Sequence, residues 1–287
     1  MRVLVTGWPS FLHGEATAGD VLSMRRVGDA LVSAGIAVDT AWSPALFPEA
    51  LHLDSADPAH YTHVVFACGP VHGEQVEWLH RRYPTCRRIA VGVSVIDPRN
   101  AAAAGFHRIL ARDGLGEPQP DLSYGAYTEP VPAAAIMLAP GQHEYGGRRR
   151  HEQVHKTLLN WVTDLDCARV NLDTRLDTAD WRHCASPDQF SSLVARFDVV
   201  VTTRMHGLVL ALRSGVPVLA VDPVAGGGKV TAQANALGWP AVIPAEEVCP
   251  EMLDHWWSWC LSDKPWRCTS PGGRGTLVAE LLGEVLR

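Results

Sequence analysis

The sequence predicts an α/β protein built on parallel sheets, and three observations carry that prediction. Short apolar runs alternate with helical periodicity along much of the 287-residue chain, which is the order expected of βαβ units. The apolar runs are continuous, as in strands that are buried on both faces. The clearest unit spans residues 199–230, where strand, polar loop, helix, strand and glycine-rich turn follow one another.

The first half of the chain is predicted to alternate strand and helix. Arg2–Thr6 is predicted to be a strand, and a long loop follows it. The next segment, 20–34, is predicted to be a helix with Asp20 as its N-cap and Gly35 as its C-cap. The other elements predicted here are strands over 63–68, 88–93 and 108–111 and a helix over 74–82.

A proline-containing linker, Tyr127–Pro132, divides the chain into predicted domains 1–130 and 131–287. The second domain repeats the alternation of the first. Its predicted strands start near residue 135 and cover 169–172, 199–201, 216–221 and 239–243, and its predicted helices cover 152–163, 187–195 and 276–286. The two halves are therefore expected to be separate α/β domains that face a cleft.

Composition excludes several classes of protein. The net charge of −6 gives no general attraction to nucleic acid or to an anionic membrane, so any anion site must be local. The 7 cysteines form no CxxC pair, which is typical of a reducing cytosol. The N-terminus is interpreted as a strand rather than a signal peptide, and no apolar run approaches the ~18 residues of a transmembrane helix. A cytoplasmic location is expected, and the sequence leaves the oligomeric state open.

A polar cluster over residues 202–206 follows one predicted strand directly. In parallel sheets ligands bind beyond the carboxyl ends of the strands. His206 is a candidate general acid because imidazole titrates near neutral pH. Arg204 offers paired donors to a phosphate or carboxylate, with a protein carboxylate as the alternative partner.

A second polar cluster, residues 222–229, follows the next strand and ends in Lys229. The backbone N–H groups of Gly226, Gly227 and Gly228 are predicted to form an anion-binding nest at a helix N-terminus. A flexible loop is the alternative interpretation. The pattern lacks the glycine and the Ser/Thr of a Walker A motif, so the sequence does not indicate ATP or GTP hydrolysis.

Further candidates lie in the first half. Glu15 and Asp20 are carboxylates that follow the first strand and can orient or deprotonate a hydroxyl, with helix capping as the alternative for Asp20. Arg112 is a candidate second anion contact, or it pairs locally with Asp113. No GxGxxG follows the first strand, so no dinucleotide cofactor is expected.

The pentapeptide His151–His155 spells HExxH, the zinc-protease pattern. The preceding arginines, Arg148–Arg150, and the following Lys156 indicate a solvated helix start rather than a shielded metal site. Positive side chains also disfavour a nearby dication. The sequence therefore predicts no catalytic metal here.

The second half also resembles a known family. Arg204–Gly207, followed by LxLALxxGVPVLAxD and Lys229, is similar to the C-terminal signature of polysaccharide pyruvyl transferases, strongly over 197–242. The usual motif is Arg-Leu-His-Gly, so Met205 is a departure. Weaker matches are Gly19-Asp20, Arg112-Asp113 and, where Gly-Gly-Gly is usual, Cys68-Gly69-Pro70.

The resemblance implies a GT-B-like architecture of two Rossmann-like domains. Phosphoenolpyruvate would bind domain 131–287, and a sugar or glycan acceptor would bind domain 1–130. His206 would be the catalytic acid, and no metal or organic cofactor would be needed. The last helix often crosses back to the first domain in this architecture. The tryptophans at 256–259 are candidates to pad that crossing, with core packing or sugar stacking as the other interpretations.

Two other functions stay open at this point. One is a GT-B glycosyltransferase that uses a nucleotide-sugar, because it would share the two-domain cleft and the glycine-rich site. The other is a family member that binds glycans without catalysis, which the departures at Met205 and Cys68–Pro70 leave possible.

Overall fold

The computed structural model of the protein describes residues 1–14, 16–141, 143–262 and 276–287. These residues form two compact units, Met1–Glu129 (unit 1) and Pro130–Arg287 (unit 2). Each unit contains one five-stranded, fully parallel sheet with helices between its strands. The predicted α/β class with two Rossmann-like sheets is confirmed. The predicted carboxylate candidate Glu15 lies outside the described residues.

Unit 1 follows the predicted alternation with one additional strand and one additional short helix. Its elements are β1 Arg2–Thr6, α1 Ala18–Ser33, β2 Ala37–Thr40, β3 His63–Ala67, α2 Glu74–Arg82, β4 Arg87–Ser94, α3 Ala101–Ala104 and β5 Arg108–Asp113. The sequence analysis missed β2 and α3, which have four residues each. It also misassigned the cap of α1: the N-cap is Thr17, and Asp20 is the third helical residue.

Unit 2 contains the remaining five strands and six helices of the described chain. Its elements are β6 Ala133–Met137, α4 His151–Asp164, β7 Ala168–Asn171, α5 Pro187–Val194, β8 Val199–Thr202, α6 Met205–Arg213, β9 Val218–Asp222, α7 Lys229–Leu237, β10 Val242–Pro244, α8 Pro250–Cys260 and α9 Thr276–Val285. The predicted helices and strands of this half all occur, with ends that differ by a few residues. Packing of α9 on unit 1 stays a prediction.

The two sheets have the same topology. Their orders are β2-β1-β3-β4-β5 and β10-β9-β8-β6-β7, so in each unit the strand order reverses between the first and third strands. Open parallel sheets bind ligands at the carboxyl ends of the strands beside such a reversal. In unit 2 this point lies between β6 and β8, where Met137 is in register with Thr202. The loops that follow these strands therefore start side by side.

The core of unit 2 surrounds its sheet. All residues of β8 and β9 are buried, which accounts for their continuous apolar sequences. Tryptophans complete the helical layer: Trp161 packs edge-on against Trp257, and Trp239 against Trp259. The core interpretation of the tryptophan cluster is thus confirmed. None of the helices in the described part of the chain is both long and apolar enough to span a membrane.

One strained residue lies at the corresponding point of unit 1. Directly after β3, Cys68 has φ +64° and is the single non-glycine residue with positive φ in the described backbone. Gly69 follows with φ +71°. Cys68 is 2% exposed, and its N–H donates to the carbonyl of Val91. A cysteine therefore adopts the left-handed conformation that glycine normally supplies, at a cost of about 1–2 kcal/mol.

We expect Cys68→Gly to be at least as stable as Cys68→Ala. Both variants lose the buried thiol, but only glycine relieves the left-handed strain. In ordinary helix or strand positions glycine is less stable than alanine by roughly 0.5–1 kcal/mol. Urea unfolding of both purified variants measures the difference, and an alanine variant that is more stable by that usual amount would contradict the assigned backbone conformation.

Candidate active site

A cavity of about 140 Å³ opens at the carboxyl ends of β6, β8 and β9. It gathers three of the predicted site residues, Arg204, His206 and Lys229. We call it the His206 cavity. Its lining consists of Ala139, Pro140, Thr203, Arg204, Met205, His206, Asp222, Pro223, Val224, Lys229 and Val230.

The turn between β8 and α6 fixes His206 in place. The buried hydroxyl of Thr202 donates to the carbonyl of Met137 over 2.8 Å and accepts from the N–H of Arg204 over 2.9 Å. Gly207 lies so close to this hydroxyl that a Cβ would come within 2.4 Å of the Thr202 Oγ1 atom. Only glycine permits that approach. His206 follows this turn directly, in the first turn of α6, and its exposed imidazole lies on the cavity wall.

Arg204 has a protein partner as well as a place in the cavity. One Nη atom lies 3.2 Å from a carboxylate oxygen of Asp173 and 3.2 Å from the hydroxyl of Thr174. The Nε atom is buried and has no acceptor among the described protein atoms. A bound anion would thus share the guanidinium with Asp173. The sequence analysis missed Asp173 and Thr174, although both are polar residues that follow the end of β7 closely.

Asp222 organises the loop between β9 and α7, and the sequence analysis gave it no separate role. Its carboxylate is fully buried. It accepts from the N–H groups of Val224 (3.1 Å), Gly228 (2.7 Å) and Thr231 (2.8 Å). These bonds compensate the cost of burying the charge. The sequence pattern that could have revealed this role is an aspartate at the end of an apolar strand, directly before a glycine-rich loop.

The glycine-rich loop uses its backbone donors internally. Gly226 and Gly227 have φ of +72° and +83°, which explains the need for glycine. Gly226 donates to Glu246 (2.8 Å), Gly227 to the Val224 carbonyl (2.9 Å), and Gly228 to Asp222. An anion would have to compete with these acceptors, so phosphate binding by the nest stays a prediction. Lys229 is exposed and makes no ion pair with a carboxylate in the described part of the protein.

The HExxH segment differs from the prediction of a solvated helix start. His151 is the first residue of α4 and is only 4% exposed. His155 is part-buried, with Nε2 3.1 Å from the Thr203 hydroxyl. Burial lowers the pKa of both imidazoles, and Arg149 lowers that of His151 further. Within the described chain no three His, Cys, Asp or Glu side chains gather as metal ligands.

The candidates of unit 1 do not line the His206 cavity. Asp20 belongs to a capping box, in which its carboxylate accepts from the N–H and the hydroxyl of Thr17 at 3.2 and 2.7 Å. Arg112 pairs with two carboxylates, Asp113 at 2.8 Å and Asp121 at 2.5 Å. Its charge is largely compensated within unit 1. A catalytic role for Asp20 and an anion contact by Arg112 stay predictions.

Part of unit 2 matches a family model. Residues 149–223 match the family model of polysaccharide pyruvyl transferase. The match runs from the start of α4 to just beyond β9. It contains Arg204 and His206 and ends before Lys229. The resemblance inferred from the sequence is confirmed over this segment.

Comparisons with solved structures give only distant alignments. Two structures of UDP-GlcNAc 2-epimerase from Methanocaldococcus jannaschii align over 99% of this chain and 100% of theirs, at 9% and 11% identity and TM-scores of 0.35 and 0.37. The E. coli heptosyltransferase WaaC with ADP aligns over 90% of this chain and 97% of its own, at 12% identity and a TM-score of 0.28. No curated protein matches the sequence. These values carry no conclusion about activity.

We expect the burial of His151 to make stability depend on pH. Burial lowers its pKa in the folded state, with Arg149 and Lys229 acting in the same direction against Asp222 and Glu144. Below the ordinary value of 6.5, the unfolded chain binds a proton that the folded chain does not. The free energy of unfolding should therefore fall as the pH decreases from about 7 to 5.

The variant His151→Gln should reduce this dependence, and part of it should remain because burial also lowers the pKa of His155. The variant His72→Gln, at an exposed histidine, should leave it unchanged. Urea unfolding across the pH range measures both slopes. An unaltered slope in His151→Gln would show that the folded protein does not hold this imidazole in a buried site.

Proposed function

We propose that the protein transfers a pyruvyl group from phosphoenolpyruvate to two hydroxyls of a sugar or glycan acceptor, forming a cyclic ketal. One observation carries the proposal. The His206 cavity gathers an acid, Arg204 and Lys229 beside the strand-order reversal of unit 2, and most of its lining lies in the segment that matches the family.

The charges of the cavity suit this donor. Phosphoenolpyruvate carries a phosphate and a carboxylate, and Lys229 and Arg204 supply two positive side chains in a protein of net charge −6. Lys229 acts as a mobile point charge, and the Arg204 guanidinium offers paired donors. Both side chains also offset the negative charge that develops on the departing phosphate.

His206 supplies the proton that starts the reaction. In its imidazolium form it protonates the methylene carbon of the enol phosphate, which leaves a carbocation at the neighbouring carbon, C2, stabilised by the oxygen that carries the phosphate. A first acceptor hydroxyl adds to C2, and its proton restores the imidazolium. A second hydroxyl then displaces the phosphate and closes the ketal, and its proton leaves with the phosphate. These reaction steps balance in atoms and charge without a cofactor.

We place the acceptor on unit 1, with Asp20 as the residue that orients a hydroxyl and Arg112 as a further contact. Support for an acceptor site in unit 1 comes from a cavity of about 460 Å³, although its lining does not include Asp20 or Arg112. It combines the aromatic ring of Trp78 with the carboxylates of Asp54 and Glu74. An aromatic face and nearby acceptors are the groups that pack on and hydrogen-bond a sugar ring.

A thermal-shift experiment separates this proposal from its two rivals. A ligand that binds only the folded state raises the melting temperature by an amount that grows with the ratio of its concentration to its Kd. We expect stabilisation by phosphoenolpyruvate. Stabilisation by a nucleotide-sugar alone would identify a glycosyltransferase instead, and stabilisation by glycan alone would identify a binding protein.

We expect His206→Ala to lower turnover by about 10²–10⁴, the usual contribution of a general acid. His206→Asn should be equally impaired, since an amide forms hydrogen bonds but cannot protonate carbon. Phosphate release and the mass gain of the glycan report the activity, and His72→Ala is the matched control. Wild-type turnover in purified His206→Ala would exclude this residue as the acid.

We expect Lys229→Ala and Arg204→Ala each to weaken the binding of phosphoenolpyruvate. Each removes a charge-assisted hydrogen bond of about 1.5–3 kcal/mol. Arg204→Ala should have the larger effect because it leaves Asp173 unpaired beside the donor. Calorimetric titration measures the affinities, with Arg213→Ala at the other end of α6 as control. Unchanged affinity in both variants would place the anion site elsewhere.

A further inference from the structure

A second cavity of about 380 Å³ lies beside the His206 cavity, at the N-terminus of α4. We call it the α4 cavity. Pro140 lines both cavities. The function proposed above assigns no role to the α4 cavity. The lining residues that bear on its chemistry are Arg149, Arg150, His151, Glu152 and His155.

The most informative group in the α4 cavity is His151. Its side chain is 4% exposed, yet neither ring nitrogen has a hydrogen-bond partner among the described protein atoms. Buried polar side chains in folded proteins are nearly always paired. Removing a partner from such a group costs about 1–3 kcal/mol. Because His151 lines the cavity and its ring nitrogens lack protein partners, we expect a ligand that enters the cavity to form hydrogen bonds with them.

The helix start points to the charge of that ligand. α4 has 14 residues, and its N-cap, Arg150, provides no side-chain cap. The N–H groups of its first turn therefore have no side-chain acceptor at the cap, and the helix dipole makes this end positive. Two arginines, Arg149 and Arg150, add positive charge where the dipole disfavours it. Only one lining residue, the exposed Glu152, is acidic. A bound anion would offset the repulsion between these arginines and the positive end of the helix.

The protein holds these groups in position before any ligand arrives. Arg150 donates its N–H to the carbonyl of Pro223, and Arg149 forms a bridge with Val224. The Arg149 guanidinium lies 3.2 Å from the ring Nδ1 of His143. His155 contacts Thr203, which lines the His206 cavity. The α4 cavity is thus a fixed neighbour of the His206 cavity.

We propose that the α4 cavity is a second anion site that binds a phosphate group through Arg149, the first turn of α4 and His151. Phosphate fits because its terminal oxygens accept several N–H donors at once, and helix N-termini are suited to it. The neutral imidazole of His151 supplies one donor and one acceptor. The phosphate belongs either to the donor or to a sugar-phosphate acceptor, and the chemistry of the contact is the same.

The test follows the imidazole resonances of the full-length protein during titration with inorganic phosphate near neutral pH. The resonances of His151 are assigned by their loss in His151→Gln. We expect them to shift on titration, and we expect Arg149→Gln to weaken the apparent affinity at this site at least about tenfold, as for one charge-assisted hydrogen bond. The control Arg213→Gln, which removes a charge at the far end of α6, should retain wild-type affinity.

Lys229→Gln separates this inference from the proposed function. It removes a positive side chain of the His206 cavity, so the response of His151 to inorganic phosphate should persist. The inference is therefore testable even if the protein does not use phosphoenolpyruvate. His151 resonances that do not shift, or that shift with equal affinity in Arg149→Gln, would overturn it.

A competition experiment identifies the source of the phosphate. Phosphoenolpyruvate that displaces inorganic phosphate from the α4 cavity, as monitored by the His151 resonances, would support the site and show that it binds the phosphate of the donor. Displacement of inorganic phosphate by glucose 1-phosphate but not by phosphoenolpyruvate would support the site and show that it binds the phosphate of a sugar-phosphate acceptor. If neither displaces inorganic phosphate, the site does not serve a substrate phosphate and the proposal fails.

Discussion

The buried carboxylate of Asp222 holds the loop that borders the His206 cavity and contacts the start of α4. It accepts three N–H groups, from Val224, Gly228 and Thr231, and so joins the end of β9 to the start of α7. A buried charge is tolerated only when it is paired in this way. The loop that it holds also accepts an N–H from Arg150 at Pro223. One carboxylate therefore sets the position of Lys229 and helps to anchor the start of α4.

The hydrogen bonds of the glycine-rich loop bear on the proposed anion site. The glycine-rich loop commits its N–H groups to protein acceptors, and Arg148 donates to the carbonyls of Ala225 and Gly227. An anion that bound to this loop would have to compete with those protein acceptors. In the two proposed anion sites the positive side chains are therefore Arg204 and Lys229 in the His206 cavity and Arg149 in the α4 cavity. These charged side chains can change conformation, whereas hydrogen bonds hold the loop backbone beside them.

The two units repeat one topology but use the equivalent position differently. At the strand-order reversal of unit 2, Thr202 and Gly207 make a tight turn that presents His206. The reversal of unit 1 carries the left-handed pair Cys68 and Gly69. Backbone strain of this kind persists only where the surroundings enforce it. The shared fold explains where the turns lie, and the residues in them determine their chemistry.

The sequence by itself determined the α/β class and most elements, because buried parallel strands such as β8 and β9 must be continuous apolar runs. It also placed Arg204, His206 and Lys229 together, since strand ends meet at one edge of a parallel sheet. Only the tertiary structure decided the rest. The short strand β2 has no strong pattern, the burial of His151 comes from packing, and the pairing of Arg204 with Asp173 joins residues far apart in the chain. Such contacts depend on the folded geometry, which local sequence preferences do not specify.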